Sequence, residues 1–110
     1  MHVMLDLETM GTGCHSAIVA IGAVLFEPDT GAMSSNFYRI IDLEDAAKFG
    51  VLDAGTVKWW ILQSEAARQI FSCEEQTVSL SRALVDFSEW LEEHQQHERD
   101  APQVWGNGAG

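Results

Sequence analysis

An α/β fold follows from three features of the sequence. The chain opens on an alternating apolar segment that ends in two carboxylates; a long β-branched run comes next; and beyond residue 42 the spacing of apolar residues becomes helical until one last strand-like segment. With 110 residues and 46% hydrophobic content, the chain can hold one core, which predicts a single domain over residues 1–110.

In the first segment Val3, Leu5 and Leu7 alternate with His2, Met4, Asp6 and Glu8. This predicts a strand over residues 2–8, followed by a loop over 9–16. Residues 17–26 are almost continuously apolar and rich in Val and Ile, so they read as a buried second strand closed by the turn Glu27-Pro28-Asp29-Thr30-Gly31. Phe37, Tyr38, Ile40 and Ile41 mark a third strand over 36–41, close enough in sequence to form an antiparallel hairpin with the second.

Helical signals follow. Thr56 is placed to cap a helix over 57–62, and Ser64 to cap another over 65–71. From Thr77 onward Leu80, Leu84, Phe87 and Leu91 recur at steps of four, three and four, with Ala83 and Trp90 flanking the same stripe. Residues 92–98 form its polar tail, Asp100-Ala101-Pro102 breaks it, and Gln103-Val104-Trp105 reads as a fourth strand running into Gly106-Asn107-Gly108-Ala109-Gly110.

The chemistry sits at the end of the first strand. Asp6 and Glu8, two positions apart on a strand, project from one face. Paired carboxylates bind hard divalent cations, and such cations clamp the attacking and leaving oxygens of a phosphodiester, so hydrolysis of nucleic acid is the leading reading. The spacing recurs at Asp42-Leu43-Glu44, but there it leads into a helical start with no glycine loop and reads as a solvated turn. The first copy is set apart by its continuation, Thr9-Met10-Gly11-Thr12-Gly13.

Six basic against 17 acidic residues give a formal net charge of -11, which argues against a protein that grips nucleic acid through its own lysines and arginines. An enzyme reaching phosphate through bound cations tolerates that sign, because each ion reverses the local charge. Cys14 and Cys73 have no metal-ligand spacing and read as reduced structural thiols. No basic leader and no apolar run long enough for a membrane span is present, which predicts a cytoplasmic protein with no membrane partner.

Asp6-Leu7-Glu8-Thr9-Met10-Gly11, the apolar second strand, the Trp59-Trp60 helix and Trp105-Gly106-Asn107-Gly108-Ala109 together resemble the DEDD, or DnaQ-like, 3′-5′ exonucleases, and most of all their small phage and prophage exonuclease or exoribonuclease branch. The resemblance covers essentially the whole chain. It implies a ribonuclease H-like mixed sheet, here truncated after the fourth strand, and a two-metal site for Mg²⁺ or Mn²⁺. Asp6 would bridge both ions and Glu8 would hold the ion that activates water. Thr9, Met10 and Gly11 would receive the 3′-terminal nucleotide through their backbone groups. Asn107 matches the Asn that precedes the family's second acidic motif.

The sequence ends before that motif's Phe-Asp, and the third motif has no place in it. The domain therefore reads as incomplete, and these 110 residues alone as inactive or nearly so, with single-stranded or frayed DNA or RNA 3′ ends as the family's partners. One of Trp59 and Trp60 belongs to the core and the other can stack on a base, since adjacent helical positions diverge by about 100°; Trp60 reads as the substrate-side residue. An unfinished sheet edge favours a homodimer. Two other classes compete: a non-catalytic remnant or interaction module with half of the fold, and a nuclease of RNA/DNA hybrids.

Overall fold

A computed structural model describes residues 2–72, 74–94 and 103–106. Cys73, the polar tail beyond His94, the break at Pro102 and the segment containing Asn107 lie outside the described residues.

Strands β1 (His2–Thr9), β2 (Ile18–Phe26) and β3 (Met33–Ile41) form an antiparallel meander. The β2–β3 turn closes with Gly31 at φ 75°, a backbone angle that a side chain would strain. Two short strands complete a five-stranded mixed sheet in the order β4-β3-β2-β1-β5. Strand β4 (Thr77–Val78) runs parallel to β3, and β5 (Gln103–Gly106) runs parallel to β1. The segment predicted as the fourth strand is thus the fifth: a two-residue strand is too short to announce itself by alternation.

One face of the sheet makes the core. Val3, Val19, Ile21, Leu25, Phe37 and Ile41 are buried on it, each removal from water stabilising by about 1.5–3 kcal/mol. Helix α4 (Leu80–Glu93) lies across this face at β3. Phe87 and Trp90 pack on Phe37, the Trp90 indole N–H donates to the Ser35 hydroxyl at 3.1 Å, and Arg39 donates to Asp86 at 3.1 Å. The face of α4 that is buried centres on Ala83 and Trp90, while Leu84 is 48% exposed. The predicted stripe was therefore rotated, because Leu84 outranks Ala83 in hydrophobicity and only the close approach to the sheet selects the small residue.

Helix ends follow the strongest available acceptor. Ser79 caps α4 and Ser64 caps α3 (Glu65–Arg68), which continues as a 3₁₀ turn over Gln69–Phe71. Helix α2 (Ala54–Ile61) is capped by Asp53 and not by Thr56; the Asp53 carboxylate accepts from both the backbone N–H and the hydroxyl of Thr56. Asp42 caps α1 (Leu43–Ala46), so the second carboxylate pair serves a helix start, as its context suggested. Asp45, within α1, in turn accepts from the Leu80 N–H at 2.7 Å and fastens α1 to the start of α4. No helix among the described residues is long and apolar enough to cross a membrane.

Candidate nuclease site

The opposite face of the sheet carries the acids. Along β1, Val3 and Leu5 pack into the core and Leu7, itself exposed, shares their face, so His2, Met4, Asp6 and Glu8 share the other side. Asp6 stands opposite Gly22 of β2, and Gly22 stands opposite Tyr38 of β3; Glu8 stands opposite Ala20, and Ala20 opposite Ile40. Immediately past Glu8 the ladder slips, Thr9 pairing with Ile18 rather than Val19, and β1 leaves the sheet. Bulges of this kind gather beside functional groups because they end pairing and re-aim side chains.

Asp6 is exposed and Glu8 half-buried. Partial burial pushes the Glu8 carboxyl above its ordinary value of 4.5, and the neighbouring Asp6 charge pushes it the same way. That mutual repulsion is the state a cation would relieve, and carboxylate oxygens are the donors Mg²⁺ and Mn²⁺ take. The pair fits such an ion in donor chemistry. Among the described residues no group of three or more His, Cys, Asp and Glu side chains converges on one point. His15 and His94 are not gathered with the acids.

The turn after β1 is held by the segment before α2. Met10 N–H donates to Ala17 C=O at 2.9 Å, Asp53 N–H to Met10 C=O at 2.8 Å, and Val51 N–H to His15 C=O at 2.8 Å. Thr9 Oγ1 donates to the Gly11 carbonyl at 2.7 Å, and the Thr9 carbonyl accepts from the Trp60 indole. The backbone groups of Met10 are therefore committed to the protein, and its side chain is buried. This corrects the expectation that Met10 offers its backbone to a nucleotide.

Trp60 is corrected likewise. It is 7% exposed and stacks edge-on with Phe71, whereas Trp59 is 54% exposed. Trp59 forms one wall of a cleft of about 460 Å³ with Gly11, Thr12, Asp53, Gly55 and Thr56, which begins three residues past Glu8. A second, apolar hollow of about 160 Å³ lies behind it between Met10, Leu43, Val57, Trp60 and Phe71. The acids are not in either lining; they stand on the sheet beside the cleft's glycine loop. Cys14, expected as a structural thiol, is exposed and free.

Sequence reasoning overlooked Tyr38. Its ring lies on the carboxylate face over Gly22, where a side-chain carbon at Gly22 would come within 3.5 Å of Tyr38 Cδ1. The one local hint is Gly22, a lone glycine inside a β-branched strand.

A family model described as the 3′-5′ exoribonuclease Rv2179c-like domain matches residues 1–110. Among curated proteins, the exodeoxyribonuclease of Enterobacteria phage T4 is 23% identical over 99 residues, covering 83% of this chain and 43% of that protein. A full-length 3′-exonuclease has a similar structure, with a TM-score of 0.60 at 10% identity over 96% of this chain and 45% of the other. Cell-death related nuclease 4 follows at a TM-score of 0.55 and 12% identity, over 98% of this chain and 36% of the other. The fold is thus the ribonuclease H-like one, and the chain spans less than half the length of these relatives.

Proposed function

Because the chain belongs to the 3′-5′ exoribonuclease Rv2179c-like domain family, we propose that it is the strand-bearing part of a metal-dependent 3′-5′ exonuclease domain acting on single-stranded or frayed DNA or RNA ends. The observation that supports this most is the pairing of Asp6 and Glu8 on the open face of β1, where the ladder ends. Asp6 and Glu8 would hold Mg²⁺ or Mn²⁺, which supplies an activated water and offsets phosphate charge. The nearby Trp59 offers a base a stacking surface, at the wall of the glycine-loop cleft. The family is described by RNA and the phage relative by DNA, so both polymers remain in the substrate class.

Two carboxylates hold two ions less firmly than a larger acidic set, and we place the turnover of the 110-residue chain low or at zero. A non-catalytic module with the same sheet is the second reading; it is favoured by the lack of a third ligating group among the described residues. The test is binding of a fluorescent single-stranded oligonucleotide, free at its 3′ end, with and without Mn²⁺. Binding that needs both Mn²⁺ and a 3′-hydroxyl, and that Asp6→Asn removes, supports the exonuclease reading. Binding indifferent to Mn²⁺ and to Asp6→Asn leaves only the module.

A further inference from the structure

Gly22 and Tyr38 make an arrangement that the two acids alone do not explain. Asp6, Gly22 and Tyr38 form one row across three strands, on one face of the sheet. Tyr38 is two strands from Asp6, about 9.5 Å by strand spacing, and its ring lies alongside Gly22 on the strand between them. The nearest atoms to an added carbon at Gly22 are Tyr38 Cδ1 at 3.5 Å, the Asp6 carbonyl at 3.7 Å and Tyr38 Cε1 at 3.9 Å. The residue is 52% exposed.

We propose that Tyr38 is a nucleic-acid-binding residue of this site, its hydroxyl donating a hydrogen bond to a phosphate oxygen of the strand end brought to Asp6 and Glu8. The proposal rests on the reading of those two acids as cation ligands. Two observations carry it. A phenol is both a flat surface and a donor, and tyrosine is among the side chains that bind phosphate without charge. The described strands hold a single Lys or Arg, Arg39, and that residue points to the other face, where Asp86 takes it, so among the described strands Tyr38 is the phenolic donor on the carboxylate side.

The experiment compares the full chain with Tyr38→Phe and Asp6→Asn by two readouts. Mn²⁺ affinity is measured by calorimetry without nucleic acid. Affinity for a fluorescent oligouridylate, blocked against cleavage by a terminal phosphorothioate, is measured by anisotropy in Mn²⁺. Tyr38→Phe keeps the ring over Gly22, so it should bind Mn²⁺ like the parent while losing about tenfold in oligonucleotide affinity, the worth of one hydrogen bond to a charged group. Parental oligonucleotide affinity in Tyr38→Phe, with Asp6→Asn impaired in both readouts, overturns the role of Tyr38 and spares the metal reading. An equal loss of Mn²⁺ affinity in Tyr38→Phe also overturns it, since the hydroxyl would then serve the acids and not the phosphate. Undiminished Mn²⁺ affinity in Asp6→Asn removes the metal reading and the proposal with it.

Discussion

The indole N–H of Trp60 reaches the carbonyl of Thr9 at 3.4 Å, so helix α2 is fastened to the point where the carboxylate-bearing strand leaves the sheet. Neighbouring Trp59 stands outside. The two tryptophans should therefore separate stability from binding. Trp60→Ala is expected to cost about 3–5 kcal/mol, the usual loss for an emptied aromatic core site. Trp59→Ala should stay within about 0.5 kcal/mol of the parent in urea denaturation. It should nevertheless weaken oligonucleotide binding, by about 1–3 kcal/mol for one stacked base.

Gly50 has no room for a side chain. An added carbon would fall 2.5 Å from both the Cα and the N of Ala17, and backbone atoms cannot step aside as a flexible side chain does. Ala17 N–H donates to Val51 C=O beside it, so the clash would part the strap that holds the glycine loop. Gly50→Ala should destabilise by at least about 1–3 kcal/mol in chemical denaturation, the cost of overpacking. Gly13→Ala, with open space around it, should be nearly neutral.

Asp86 takes two arginines, Arg82 at 2.9 Å and Arg39 at 3.1 Å, while its own side chain is only 11% exposed. Its loss strands both cations; loss of Arg82 leaves the bond to Arg39. Asp86→Ala should therefore cost about 1–2 kcal/mol and Arg82→Ala less than about 1 kcal/mol, given the exposure of that arginine. Thermal unfolding of the two variants checks the order.

Glu8 gives the metal-free protein a pH dependence of known sign. With its folded value raised above 4.5, the folded chain holds the Glu8 proton more tightly than the unfolded chain does. Its stabilising share is complete below the ordinary value and is lost as pH rises through the raised one. In the presence of EDTA, Glu8→Gln should match the parent in acid and exceed it in melting temperature at neutral pH. An advantage for the parent at neutral pH would contradict this.

Much of this architecture was legible because single elements announce themselves. Alternation in β1, the β-branched run of β2 and Ser64 at a helix start each depend on a few neighbouring residues. What stayed hidden depends on packing between distant segments. The choice of Asp53 over Thr56 as cap, the rotation of α4 toward Ala83, and the burial of Trp60 instead of Trp59 are all set by what each helix meets. The candidate acids stood out by their spacing together with the glycine-bearing continuation Thr9-Met10-Gly11-Thr12-Gly13. Tyr38 did not, because its position over Gly22 follows from the register of three strands.

The central claim is that Asp6 and Glu8 together capture a divalent cation, and a melting series in rising Mn²⁺ tests it most directly. A ligand that binds only the folded state raises its melting temperature as concentration passes the dissociation constant. The parent's melting temperature should climb with Mn²⁺ while those of Asp6→Ala and Glu8→Gln stay flat. Equal climbs in all three proteins would place the cation elsewhere and contradict the account.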